Sequence, residues 1–247
     1  MRTFLNPVHF LSLLAAFVLV LIPVAHAEEG LTVAAGAGYR RLIDKLCNAY
    51  TARSGGPVNK VFGNMGQITT QARESGTVDF IVGDKQFLDA AKLAFADELT
   101  IGQGKLVAAV AKGIPLRDLN ALTNAAIKRI AIADQEKAIY GRAAREFLTN
   151  KGIWQQIEPK LLVVGTVPQV TAYVLTGEVD VGFINLTEAL TIRDKVETII
   201  PIDDTLYSPI LLVVKRLQQD TYTMAAVSFM EFLQSEEIKK ILTQQGP

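Results

Sequence analysis

Four short segments of this sequence carry residues whose type and spacing suit ligand chemistry. The first is Gly36-Ala37-Gly38-Tyr39. The second is Gly63-Asn64-Met65-Gly66-Gln67. The third is Ile139-Tyr140-Gly141, and the fourth is Val167 at the head of a helical pattern. In each, a β-rich run gives way to a helix through a tight turn. A helix N-terminus presents unpaired backbone N–H groups and a partial positive charge, so such turns suit an anion. In open α/β sheets, ligands bind beyond the carboxyl ends of strands, where helices begin. A site of this kind needs no lysine or arginine. Charge-assisted hydrogen bonds each contribute roughly 1.5–3 kcal/mol, and a closed cleft can satisfy a tetrahedral dianion with N–H and hydroxyl donors alone. A ligand gripped from two halves would shift the chain toward its closed form.

Other chemistries are excluded by the residues the chain lacks. Its two histidines, His9 and His26, both lie in the first 27 residues. Beyond them the commonest general base and transition-metal ligand is missing. Ser-His-Asp and Cys-His catalysis are therefore ruled out. Cys47 is the only cysteine, which excludes an intrachain disulfide and a cysteine-rich metal site. Its helical context marks it as a core residue. Asp134-Gln135-Glu136 and Asp203-Asp204 are the acidic clusters near turns, and loop solvation accounts for both. An enzyme built here would have to work with Asp, Glu, Lys or Tyr alone.

The elements that must position these turns alternate in type. Strands are expected at 31–35, 58–62, 78–82, 129–133, 160–164, 179–184 and 210–214. Helices are expected at 39–51, 67–74, 86–95, 116–122, 141–149, 168–175, 187–191 and between 221 and 242. This alternation defines an α/β chain. The run Gly104 to Lys112 reads as one long strand crossing between two halves, with Ile210 to Val214 as the return. Gly76-Thr77-Val78-Asp79-Phe80 and Gly177-Glu178-Val179-Asp180-Val181 echo one another, each reading helix end, glycine, acid, strand.

Residues 1–27 read as an export signal: Arg2, an apolar run from Phe10 to Val24, and Ala25-His26-Ala27 before the cleavage point. Removing them leaves 24 basic against 25 acidic side chains. Neither nucleic acid nor an anionic membrane is expected as a partner of so balanced a chain.

The sequence resembles the molybdate-binding proteins of bacterial ABC importers from Leu31 to the C-terminus. The likeness is carried by LTVAAGAGYRRL (31–42), VFGNMGQITTQARESGTVDFIVG (61–83) and IAIADQEKAIYGRAAREFL (130–148). It continues in VPQVTAYVLTGEVDVGFINLTEAL (167–190) and AAVSFMEFLQSEEIKKIL (225–242). It implies a two-lobed periplasmic binding-protein fold, each lobe a mixed sheet flanked by helices, with two crossing hinge strands. Lobe I would span 28–110 and 206–247, and lobe II 111–205. It also implies a monomer, exported to the periplasm, that captures a molybdate- or tungstate-like oxyanion and passes it to a permease in the inner membrane. No cofactor is implied, and metal enters only inside a bound oxyanion.

The resemblance places the ligand-binding residues at Gly38, Tyr39, Asn64, Met65, Gly66, Tyr140, Val167 and Asn185. Serines of the family fall here on Gly38 and Met65, and its tyrosine falls on Asn185. The hydroxyl donors are gone, leaving backbone N–H groups and the side chains of Tyr39, Asn64, Tyr140 and Asn185 as donors. Arg40 and Arg41 follow the first turn, where Arg40 either reaches the ligand or belongs to a solvated helix face. Two alternatives keep the fold: a sensor that reports to a membrane signalling partner, and a receptor for a different solute.

Overall fold

The computed structural model describes residues 30–244 apart from residue 55. The export signal expected at residues 1–27 lies outside the described residues. The chain runs β1 (Leu31–Gly36), α1 (Arg40–Ser54), β2 (Val58–Gly63), α2 (Met65–Ser75), β3 (Phe80–Asp84), α3 (Lys85–Ala90) and β4 (Phe95–Gly104). It continues with β5 (Leu106–Val110), β6 (Ile130–Ala133), α4 (Ile139–Asn150), α5 (Trp154–Ile157), β7 (Leu161–Val164), α6 (Val167–Thr176), β8 (Val181–Asn185) and α7 (Leu186–Ile192). Then follow β9 (Thr198–Pro201), β10 (Ile210–Leu217), α8 (Met224–Leu233) and α9 (Glu236–Gln244).

Two five-stranded mixed sheets result, ordered β2-β1-β3-β10-β4 and β7-β6-β8-β5-β9. In each, three parallel strands joined by helices meet one antiparallel strand, β10 or β5, which also pairs with the edge strand β4 or β9. The sequence echo has a structural counterpart. Gly76 and Gly177 end α2 and α6 in the left-handed conformation, with φ of 62° and 72°, which glycine adopts without a Cβ penalty. Asp79 then accepts a hydrogen bond from Thr32 N at 2.8 Å, and Asp180 accepts one from Arg129 N at 2.9 Å. Each aspartate thereby ties the approach to one parallel strand to the start of its neighbour.

The structure corrects several sequence expectations. Residues 104–112 are not one strand: β4 ends at Gly104, Lys105 crosses over, and β5 pairs with β8 and β9. The change of sheet therefore falls five residues before the expected lobe boundary after Val110. Residues 86–95 do not form one helix, because α3 stops at Ala90 and Phe95 opens β4. That strand escaped notice because it is a half-buried one of mixed composition, alternating buried-side and exposed positions from Phe95 to Thr100. Strand β9 was also missed. The segment 116–122 holds a short 3-10 turn at Leu119–Thr123, which begins only after Asp118, whose side chain accepts from Asn120 N at 2.9 Å.

The return strand β10 brings α8 back against the first sheet. Phe229 sits 5.0 Å from the Tyr50 ring and 5.1 Å from Phe80, both edge-on. Tyr50 also donates to Ala225 O at 3.0 Å. Cys47 is buried, and burial pushes its thiol up to about 12. Phe229→Ala is expected to lower stability by about 3–5 kcal/mol, read as a fall in the denaturant midpoint at unchanged slope; a change below about 1 kcal/mol would mean that α8 is not part of this core.

Candidate functional site

All the helix starts of interest sit at the carboxyl ends of parallel strands. On the first sheet, β1 ends at Gly36 and a single 3-10 turn, Ala37–Tyr39, leads into α1. Strand β2 ends at Gly63, and Asn64 caps α2 reciprocally. Its Oδ1 accepts from Gln67 N at 2.9 Å, and its own N–H donates to Gln67 Oε1 at 2.9 Å. This cap turns Met65 inward. A β-carbon at Gly83 would stand 2.5 Å from the Met65 thioether, so the glycine in β3 makes room for that side chain.

On the second sheet, β6 leads into a turn in which Asp134 accepts from the backbone N–H groups of Glu136 and Lys137 at 2.9 and 2.8 Å. The cluster at 134–136 thus shapes the loop. Helix α4 begins at Ile139, and Ala138 offers its first turn no side-chain cap. A β-carbon at Gly141 would lie 2.2 Å from Asp134 O and 2.4 Å from Ala133 O, so glycine lets α4 start directly on the strand end. Before α6, Thr166 N donates to Gln169 Oε1 at 3.0 Å.

These four turns face one another across the gap between the sheets. Residues 36–39, 63–65, 138–140 and 166–167 enclose a cavity of about 20 Å³. That volume suits a group about as large as one water. Lysine and arginine are absent from this lining, and any positive potential comes from peptide dipoles. A larger depression of about 680 Å³ runs outside α2 between Gln71, Glu74 and Lys137. It is an open groove of exposed side chains, and the enclosed cavity at the strand ends is the better candidate.

The rims are joined by direct bonds. The Tyr39 and Tyr140 hydroxyls lie 2.6 Å apart, and burial is the main cause that raises both pKa values above the ordinary tyrosine range. Asn64 Nδ2 donates to Gly165 O at 3.2 Å, Gly66 N to Lys137 O at 3.3 Å, and Asn185 Nδ2 to Gly38 O at 3.2 Å. Beside the cavity, Arg142 on α4 pairs with the fully buried Asp84 at 3.1 Å and stacks on Phe87 at 5.2 Å.

Of the residues singled out from sequence, Gly38, Tyr39, Asn64, Met65, Tyr140 and Val167 line this one cavity. Gly66 does not: its N–H is bonded to Lys137 O, and it borders the outer groove. Asn185 stands behind Gly38, bonded to its carbonyl. Asn64 and Asn185 donate from their amides across the gap, and Tyr39 and Tyr140 share one bond there, in which one hydroxyl donates and the other accepts. Arg40 does not reach the cavity; its guanidinium lies 4.0 Å over the Phe62 ring. Arg41 stands 4.0 Å from Glu188 on α7. Ala138, Ile139 and Thr166 also line the cavity. Their place immediately beside a helix start was the available signal. The Asp84–Arg142 pair had none, since 58 residues separate the partners.

Over residues 31–246 the chain matches, and belongs to, the bacterial extracellular solute-binding protein family. Such proteins are receptors and not enzymes. The molybdate-binding protein of Rhodobacter capsulatus is 26% identical over 230 residues, 91% of this chain and 90% of that protein. A substrate-binding domain of a putative molybdenum ABC transporter from Clostridium difficile superposes with a TM-score of 0.65 at 26% identity, covering 88% of this chain and 97% of that one. The periplasmic molybdate-binding protein of Azotobacter vinelandii superposes with a TM-score of 0.78 at 20% identity, over 87% and 97% of the two chains, and shares the fold.

Removing Arg142 would leave the Asp84 carboxylate buried without its counter-charge. Arg142→Met is expected to cost about 3–5 kcal/mol of stability, measured by chemical denaturation; no loss would show that the pair is not formed in solution.

Proposed function

We propose that this chain is the receptor of an ABC importer and that its ligand is a small tetrahedral oxyanion. Exported through its leader and cleaved after Ala27, it would collect the anion in the periplasm and present it to an inner-membrane permease. The two sheets would act as lobes. The hinge would be Lys105 and the return segment 202–209, which lies between β9 and β10. One observation carries the reading: strand-to-helix turns from both sheets converge on one small cavity. The uncapped first turn of α4 supplies N–H groups suited to an anion's oxygens. The names of the Rhodobacter and Clostridium relatives point to molybdate and chemically similar ions.

Closure follows from the same geometry. A ligand held by donors on both rims binds the closed form better than the open one, and the equilibrium shifts by that difference. The direct bonds between the rims keep the two edges in register once they meet.

A thermal-shift panel on the leader-free protein tests the reading, with molybdate, tungstate, sulfate, chromate, phosphate and arsenate against chloride, a sugar and an amino acid. At 100 times its dissociation constant the true ligand should stabilise the fold by about 2.7 kcal/mol. The expected outcome is a saturable shift with at least one oxyanion and none with the neutral solutes. A shift with only the sugar or the amino acid would contradict the oxyanion reading.

A further inference from the structure

Several buried side-chain polar atoms among the described residues have no hydrogen-bond partner, and one of them lies against Gly38 of the cavity wall. Asn185, at the end of β8, is 1% exposed, and its Oδ1 accepts no hydrogen bond. The Gly38 carbonyl fixes which way the amide faces, since it can only accept, whereas the Thr187 hydroxyl can give or accept. Asn185 Nδ2 donates to Gly38 O at 3.2 Å and also to the Thr187 hydroxyl. Exchanging the two ends would set Oδ1 against the Gly38 carbonyl, acceptor against acceptor. The oxygen is therefore held toward Gly38 and Val167, two residues of the cavity wall. A β-carbon at Gly38 would stand 3.1 Å from Oδ1 and 3.5 Å from Val167 Cβ. A side chain there would lie against this acceptor, and glycine leaves it facing the wall of the site.

We infer that Asn185 selects an oxyanion that carries a proton, such as hydrogenphosphate or hydrogenarsenate, over fully deprotonated ions such as sulfate and molybdate. The inference rests on the oxyanion reading above and narrows it. The helix starts offer donors to an anion's bare oxygens, and Asn185 Oδ1 can only accept. An anion with one X–O–H group satisfies both kinds of partner. A bare oxygen set toward Oδ1 would place lone pair against lone pair and leave the buried carbonyl unbonded. Sites built around a hydrogen bond strongly reject analogues that lack the matching group.

The test is calorimetric titration of the leader-free protein at about pH 8, where phosphate and sulfate are both dianions of similar size and differ by one proton. Molybdate and arsenate complete the set. Phosphate and arsenate are expected to bind at least tenfold tighter than sulfate and molybdate. In Asn185→Leu that preference should fall below about threefold, mostly through weaker phosphate binding. Sulfate or molybdate binding as tightly as phosphate to the wild-type chain would overturn the inference while keeping the oxyanion receptor. A preference that survives in Asn185→Leu would also overturn it. Binding of none of the four would remove both readings together. Should Asn185→Leu not fold, the wild-type ranking alone decides.

Discussion

Every parallel strand that feeds a helix in this fold points the start of that helix toward the same edge of its sheet. The peptide N–H groups at those starts have no partner within the helix, so each sheet carries a row of donors along one edge. Two such edges face one another here, and that opposition is the constraint on which the site depends. It explains how a cavity without lysine or arginine can suit an anion. It also explains the glycines at close approaches. Gly141 lets α4 begin against the end of β6, and Gly83 clears space for Met65.

The two edges are built by the same device used twice. In both sheets a helix ends at a left-handed glycine, an aspartate three residues later ties down the neighbouring strand, and the next parallel strand follows. One antiparallel strand then flanks each set, β10 beside β3 and β5 beside β8. The crossing at Lys105 is short, and the residue before it is tightly placed. A β-carbon at Gly104 would stand 2.3 Å from the Tyr140 hydroxyl and 2.8 Å from that of Tyr39. The tyrosine pair that joins the rims therefore also packs on the point where the chain changes sheet, which couples the cleft to the crossover.

Much of this was legible in the sequence because it is local. Strand-to-helix turns, caps and apolar runs are written within a few residues, and the turns at 36–39, 63–67, 139–141 and 167 could be marked from them. Strand β4 could not, because Asp97, Glu98 and Thr100 dilute its apolar signal; in the fold Lys215 pairs with Glu98 at 2.8 Å and stacks on Phe95 at 4.8 Å. The crossover at Lys105 sits at the head of the apolar run 106–111, with no turn signal to separate it from that run. The direction of Arg40 depended on Phe62, twenty-two residues away on strand β2. Tyr39 and Tyr140 were each recognisable as polar groups near a turn, but only the fold shows that they meet one another.

The central claim is that the backbone N–H groups at these helix starts hold the ligand. Amide chemical shifts of the leader-free protein, recorded by NMR with and without a saturating oxyanion, address it directly. The account predicts the largest shifts at residues 38–39, 65, 139–141 and 167, from both sheets at once. Saturable binding with its largest shifts along the outer groove of α2, or confined to one sheet, would contradict it.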